Sequence, residues 1–178
     1  GNDGPEGSLY TANYRSAKAK GKYTLCGKEA GEEYRPAFTF YGFRYVELTA
    51  DDDIELLAFR CDVVGSDNQE TGYIETSDPD VNRLFRNILW GQRGNYLSVP
   101  TDCPQRDERL GWTGDTQVFA CTAAYNANVC AFFHKWLQDA RDSQPEYGAF
   151  PDGIPRSRVV GEGGAAWSDA GIIVPYII

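Results

Sequence analysis

The sequence predicts an α+β fold in two parts, antiparallel strands up to residue 76 and helices from residue 77 onward. Up to Glu75, aromatic and β-branched residues recur in short alternating runs, which is the period of a half-buried strand. From Ser77 the apolar residues recur every three or four positions, which is the period of an amphipathic helix. The change of period within 178 residues indicates two structural parts.

The strand signals lie in several runs before residue 76. The longest, AFTFYGFRYVELT at 37–49, alternates throughout, and Gly42 stands where a bulge would fall. The acidic turn 51–53 is interpreted as a solvated hairpin tip rather than a calcium site. A first piece of strand is predicted at Leu9–Tyr14, and further strands at 22–25, 54–64 and 72–75. Together these runs predict a portion of an antiparallel β-sandwich.

The first helix has a clear start. Asp78 can cap the free N–H groups of the first turn, and Pro79 suits the first helical position. The helix should end before Pro100, which cannot donate a helical hydrogen bond. Its apolar face is predicted from the spacing of Val81, Leu84, Phe85, Ile88 and Leu89.

Three more helices are predicted. Asp115 is expected to cap the second, which should be buried because residues 118–124 are apolar nearly all round. A third is expected from about Asn128 with one apolar face, and a fourth from residues 167–169. A loop rich in glycine and proline at 145–164 separates these two.

The composition limits the class of protein. The net charge of −9 and the pI near 4.6 argue against nucleic acid as a partner, because a phosphate-binding surface needs clustered basic residues. No membrane partner is expected, since no apolar run approaches the ~20 residues of a membrane span. The glycine at position 1 and the absence of methionine suggest a processed chain or a piece of a longer one.

The sequence calls for no cofactor or metal. His134 is the only histidine and is expected to be an ordinary helix residue. The cysteines lack a CxxC pair and are expected to be reduced thiols, most of them buried. Reduced thiols favour the cytoplasm, although a periplasmic or secreted location stays open. The cysteines stand at positions 26, 61, 103, 121 and 130.

The segment Ser98–Asp115, SVPTDCPQRDERLGWTGD, holds the densest chemistry of the chain. Its prolines and glycines predict an ordered loop. Carboxylates and arginines alternate there with a tryptophan, a composition suited to a sugar, whose C–H faces stack on an indole and whose hydroxyls need polar partners. A salt-bridged loop with Asp115 as a helix cap is the plainer interpretation, and composition alone does not separate the two.

Four segments resemble the bacterial α-L-rhamnosidases of glycoside hydrolase family 78. They are GFRYVEL (42–48), NILWGQRGNYLSVPTDCPQRDERLGWTGDTQVFACTAAYN (87–126), KWLQDA (135–140) and AAWSDAGIIVPY (165–176). Family members are large multidomain enzymes in which β-sandwich domains precede an (α/α)6 toroid with the active site. The resemblance therefore implies that residues 1–76 are the C-terminal part of a β-sandwich domain and 77–178 the opening helices of a truncated (α/α)6 catalytic domain.

The resemblance also implies roles for individual residues. The family inverts the anomeric centre, which requires a general acid and a general base roughly 6.5 to 9.5 Å apart. Glu108 matches the general acid. Residues that match the binding of rhamnose hydroxyls or wall its ring are Asp102, Arg106, Asp115, Trp112 and Trp167. For Asp107, a structural ion pair with an arginine is expected.

A general acid that works near neutral pH needs a raised pKa. The carboxylates around Glu108 would raise its pKa, whereas Arg106 and Arg109 would lower it. The sequence leaves this balance open, because it depends on geometry.

The general base of the family is a glutamate far downstream, and Glu146, Glu162 and Asp169 do not match its context. The sequence thus predicts a fragment of an inverting α-L-rhamnosidase that carries the acid loop but not the base, with a rhamnose-containing glycoside as substrate. A stand-alone sugar-binding or interaction fragment without catalysis is the alternative. Exposed helix faces make self-association an expected property of either. The aglycone is not determined by this sequence.

Overall fold

The computed structural model describes residues 7–178, and its regular structure is mainly helical. Two antiparallel strands of two residues each form a hairpin, in which Tyr96 pairs with Pro100 and Leu97 with Val99. The elements are α1 (Pro79–Asn95), β1 (Tyr96–Leu97), β2 (Val99–Pro100), α2 (Thr113–Asn126), α3 (Cys130–Asp142) and α4 (Ala170–Ile177), preceded by a 3-10 helix at Ala12–Tyr14.

The chain divides into two compact units. Among the described residues, the first combines 7–62 with Pro104–Glu108, and the second combines Val63–Cys103 with Arg109–Ile178. The four α-helices and the hairpin all belong to the second unit. The five residues 104–108 therefore leave the helical part of the sequence and join the N-terminal unit.

The strands predicted before residue 76 are not formed in residues 7–76. Neither 22–25, 37–49, 54–64 nor 72–75 is a strand, and the piece predicted at Leu9–Tyr14 contains a 3-10 helix instead. Alternation shows that a segment suits a sheet, but a strand also needs a neighbour hydrogen-bonded along its length. These runs lack such a neighbour in the described part of the chain, so the β-sandwich portion is not confirmed.

α1 starts as predicted. The side chain of Asp78 accepts a hydrogen bond of 2.8 Å from the backbone N–H of Asp80, and Pro79 is the first helical residue. The helix ends at Asn95, before Pro100. Its apolar face is only partly covered, since Val81 and Leu84 are exposed.

α2 begins two residues before its predicted cap. Trp112 is the N-cap residue, and Asp115 lies within the first turn. The positive end of the helix dipole stabilises a carboxylate there. The N–H of Thr113 donates a 2.9 Å hydrogen bond to the carbonyl of Asp152. The prediction of Asp115 as the cap is wrong because a main-chain carbonyl from a distant loop already satisfies this first free donor.

Only one face of α2 is buried, so the prediction of a buried helix is also wrong. Ala120 and Ala123 are inaccessible, whereas Val118 and Tyr125 are 80% and 76% exposed. α2 packs against α4 on one side. A helix that is apolar all round can be buried on every side, but the described residues pack against only one face of α2.

The core of the second unit is built around the apolar face of α3, as predicted. Phe133 and Trp136 are fully buried and meet edge to face, with ring centroids 6.0 Å apart. Tyr96 stacks on Phe132 at 4.6 Å, and its burial raises the pKa of its hydroxyl. Burying a large apolar side chain contributes about 1.5–3 kcal/mol, so this cluster fixes α3 beside the hairpin. His134 lies on the exposed side of α3, as expected.

The cysteines differ from the prediction in their burial. All five are free thiols, but only Cys103 is buried. Cys26 and Cys61 lie in runs that form no sheet, and Cys121 and Cys130 point away from the core on α2 and α3. The tendency of cysteine to be buried depends on the availability of a packing partner. No helix in residues 7–178 combines the length and the apolar composition needed to cross a membrane.

Candidate active site

Two guanidinium groups converge on the carboxylate of Glu108 in the first unit. Arg106 lies 3.1 Å away through Nε and 3.0 Å away through Nη2, and Arg15 lies 3.0 Å away through Nη1, all measured to Oε2 of Glu108. The Glu108 side chain is 19% exposed. Charge-assisted bonds of this kind are about twice as strong as neutral ones and stabilise a carboxylate in its ionised form.

Asp107 has a different set of partners. The hydroxyl of Ser16 donates a hydrogen bond to Oδ2 of Asp107, and Nε of Arg15 lies 3.6 Å from Oδ1. The Ser16 hydrogen bond, helped by the charge of Arg15, lowers the pKa of Asp107 against the opposite effect of desolvation. Asp107 is thus ion-paired with an arginine, as predicted, and that arginine is Arg15.

A glycine allows the acid segment, residues 104–108, to pack closely within the first unit. A Cβ on Gly42 would lie 3.0 Å from the Cα and the N of Gln105. Contacts this short are rare for a real Cβ, so the residue lets two backbones approach closely. The bulge predicted at Gly42 is not formed. A glycine is needed at position 42 because the backbone of residues 104–108 packs against it.

The second unit holds Asp102 beside a buried thiol. Sγ of Cys103 lies 3.0 Å from Oδ1 of Asp102 and can donate to it. Asp102 is half-buried and precedes the five residues that enter the first unit.

The second unit also brings Trp167 to the start of α2. A Cβ on Gly114 would lie 3.1 Å from Cδ1 and Nε1 of the Trp167 indole, so the ring rests against the first helical turn. Asp115 is the next residue in that turn, and Trp112 is the N-cap residue. Trp167 keeps 42% of its surface exposed, which leaves an indole face available beside the turn.

Asp152 holds this arrangement together, and sequence reasoning missed it. Its carbonyl accepts hydrogen bonds from both the N–H and the hydroxyl of Thr113, at 2.9 and 3.0 Å. Its Oδ1 accepts from the N–H of Gly164 at 2.9 Å and lies 3.3 Å from the hydroxyl of Ser168. Asp152 therefore ties the start of α2 to the segments on both sides of Trp167. The available signal was the Pro-Asp-Gly sequence at 151–153, which is typical of a turn.

The sequence-predicted residues thus fall into two sets. The first unit pairs Arg106 with Glu108, and the second unit places Trp167 at the turn that holds Asp115 and follows Trp112. Asp102 also belongs to the second unit. Their roles toward a sugar remain predictions.

The family models match most of the chain. Residues 69–178 match the bacterial alpha-L-rhamnosidase 6 hairpin glycosidase domain. The chain belongs to the bacterial α-L-rhamnosidase family. Residues 4–64 match a second model of the same family, the bacterial alpha-L-rhamnosidase concanavalin-like domain. The resemblance seen in the sequence is thereby confirmed.

Curated relatives in this family are much longer than the chain. The chain is 51% identical over 176 residues to an α-L-rhamnosidase of Streptomyces avermitilis and 43% identical over 177 residues to one of Formosa agariphila. Each match covers 98% of the chain but only 17% and 19% of the respective relative. The chain therefore spans less than a fifth of their length.

Solved structures of rhamnosidases share the fold of the chain. The crystal structure of the Streptomyces avermitilis α-L-rhamnosidase complexed with L-rhamnose superposes with a TM-score of 0.85 at 48% identity, covering 98% of the chain and 17% of that structure. The native α-L-rhamnosidase of Aspergillus terreus gives 0.86 at 42% identity, covering 97% and 20%. The fold of this chain is thus similar to that of the matched part of these rhamnosidases.

Proposed function

We propose that this chain is part of an inverting α-L-rhamnosidase and carries its general acid, Glu108. The enzyme would hydrolyse terminal α-L-rhamnosyl residues from rhamnosides. The observation that carries this proposal is the 51% identity to a rhamnosidase over 98% of the chain, including the acid segment. A similar enzyme whose structure is a complex with L-rhamnose supports rhamnose as the bound sugar.

In this reaction Glu108 gives its proton to the glycosidic oxygen while the bond from that oxygen to the anomeric carbon breaks. A water molecule, deprotonated by a second carboxylate, attacks the anomeric carbon from the opposite face, so the configuration inverts. We assign no residue of this chain to the second carboxylate. Proton donation matters most when the leaving group is a poor one.

The remaining residues are proposed to hold the sugar. Trp112 and Trp167 offer apolar ring faces to the C–H groups and the C5 methyl group of rhamnose. Asp102 and Asp115 accept hydrogen bonds from its hydroxyls, and Arg106 donates to them. The exposed indole of Trp167 beside the first turn of α2 suits this assignment.

The ion pairs of Glu108 must change for it to act as an acid. Arg15 and Arg106 both contact Oε2 of Glu108, and neighbouring positive charges favour the ionised form of a carboxylate. If a rhamnose hydroxyl takes over the guanidinium of Arg106, Glu108 loses one of these two partners. Sugar binding would then favour the protonated carboxyl group that the reaction needs.

Substitution of Glu108 tests the proposal in the complete gene product. Glu108→Gln keeps the shape of the side chain but cannot donate a catalytic proton, and general acid catalysis is worth about 10²–10⁴-fold. We expect a loss of that order in kcat/KM on natural rhamnosides, a smaller loss on aryl rhamnosides with good leaving groups, and disappearance of the alkaline limb of the pH profile.

Asp107→Asn is the matched control, since it changes the neighbouring carboxylate, and it should lose much less activity. NMR of the first-formed sugar should show the inverted anomer. Equal losses in both variants, independent of the leaving group, would rule out Glu108 as the acid. Rhamnose binding without any turnover by the complete gene product would favour the sugar-binding alternative.

A further inference from the structure

The N-terminal segment contributes two side chains to the acid segment. Arg15 spans both carboxylates, with Nη1 at 3.0 Å from Glu108 and Nε at 3.6 Å from Asp107. Ser16 donates its hydroxyl hydrogen to Asp107. Both residues lie in the concanavalin-like match at 4–64, whereas the acid segment lies in the glycosidase match at 69–178. The proposed acid, Glu108, is therefore ion-paired with an arginine that belongs to a different family match from its own.

The backbone at Arg15 has an unusual conformation. Its φ is 58°, in the left-handed region that glycine adopts without strain and other residues avoid. Such outliers persist when the surroundings hold them in place, and they cluster at functional sites. An arginine here strains the backbone, and in exchange its forked guanidinium reaches two adjacent carboxylates at once.

We propose that Arg15 is a positioning residue that orients the Glu108 carboxyl group for proton transfer. The inference rests on the proposed function of Glu108. By bridging Asp107 and Glu108, the guanidinium fixes the direction of the Glu108 side chain relative to its own backbone. It also keeps a positive charge beside the acid when Arg106 turns to the sugar.

Two substitutions separate this role from a structural one in the complete gene product. Arg15→Gly removes the side chain and the strain together. We expect kcat on a natural rhamnoside to fall about tenfold or more, as when a reacting group is misplaced, while KM stays nearly constant and Tm does not fall. The alkaline limb of the pH profile should move to higher pH, because a cation beside the acid has been removed. Arg15→Lys keeps the charge, so it should restore the position of that limb and part of kcat.

Arg60 provides the matched control. It is an exposed arginine of the same unit, and its Nε lies 2.8 Å from Asp62. Arg60→Ala should leave kcat and the pH profile unchanged. Ser16→Ala removes the hydrogen bond to Asp107, the other carboxylate that Arg15 contacts. It should lower kcat by a smaller factor than Arg15→Gly, which keeps a test available if Arg15→Gly does not fold.

The inference is overturned if Arg15→Gly and Ser16→Ala keep the wild-type kcat and pH profile. It is also overturned if kcat, KM and Tm change together without a shift of the alkaline limb and Arg15→Lys restores nothing, because that pattern indicates a structural role. Glu108→Gln, measured in parallel, separates the two proposals. Full activity of Glu108→Gln on natural rhamnosides would refute both the assignment of Glu108 as the acid and this inference. Loss of activity in Glu108→Gln, with unaffected Arg15 variants, would refute this inference alone.

Discussion

A methyl group on Gly111 would collide with the main chain of a buried residue. A Cβ at this position would lie 2.1 Å from the carbonyl oxygen of Ile154 and 3.3 Å from that of Pro100. The N–H of Ile154 donates a 2.8 Å hydrogen bond to the carbonyl of Gly111, and Ile154 is fully buried. To relieve the contact, the two backbones would have to separate by at least about 1.3 Å, since ordinary contact begins at 3.4 Å.

This separation breaks the hydrogen bond between Ile154 and Gly111. Leaving a buried backbone group unsatisfied costs about 1–3 kcal/mol, and forcing an extra carbon into a packed interior costs about 1–3 kcal/mol. The two terms partly overlap, so we expect Gly111→Ala to lower the free energy of unfolding by about 2–4 kcal/mol. Trp112 follows directly in the chain, so its fluorescence should report the change.

Gly91→Ala makes the same substitution in a different setting. Gly91 lies inside α1, and a Cβ there would have nothing within 4 Å. Alanine is favoured over glycine in a helix by about 0.8–1.0 kcal/mol, so this variant should be slightly more stable than the wild type. Urea unfolding of both variants measures the difference. Equal midpoints for the two variants would refute the close approach of Gly111 to Ile154.

Two further outcomes follow from the contacts. Trp112→Ala should bind rhamnose about tenfold more weakly, because the sugar loses an aromatic face, while Thr116 can still donate to the main-chain carbonyl of residue 112; an unchanged inhibition constant for rhamnose would contradict the assignment. Since the pKa of Asp107 is lowered from 3.8, its contribution to stability is present above that value and disappears as the pH falls through the folded-state pKa. Asp107→Asn should therefore have a lower Tm than the wild type at pH 7, with a gap that closes in acid; a gap independent of pH would show that the ionised carboxylate is not responsible.

The helices were predictable from the sequence because their signals are local. The cap at Asp78 and the apolar face of α3 depend on residues within a few turns of one another. The start of α2 was not predictable, since it is set by a hydrogen bond to the carbonyl of Asp152, 39 positions further along the chain. The strand predictions were wrong for a similar reason. A strand needs a hydrogen-bonded neighbour, and the alternation of apolar residues does not show whether one is present.

The sequence indicated candidate residues for the site, but it did not indicate their contacts. The motif around Glu108 indicated which residues to propose as the acid and its neighbours, and the arginine expected opposite Asp107 is Arg15. Nothing in the sequence near Arg15 or Ser16 indicates that they reach this motif, because both bonds join residues more than 90 positions apart. The balance of charges at Glu108 depends on these contacts, and the sequence therefore left it open.

The passage of residues 104–108 into the first unit has a consequence for the order of events on the ribosome. The earlier part of that unit ends at Asp62, but its last segment is Pro104–Glu108. At 5–20 residues per second, a nascent chain needs about 2–9 s to reach Glu108 after Asp62. Until then Arg15 and Ser16 lack the carboxylates of Asp107 and Glu108, and contacts between residues far apart in sequence form slowly. The proposed acid is therefore set in place only after much of the chain that holds it has already been made.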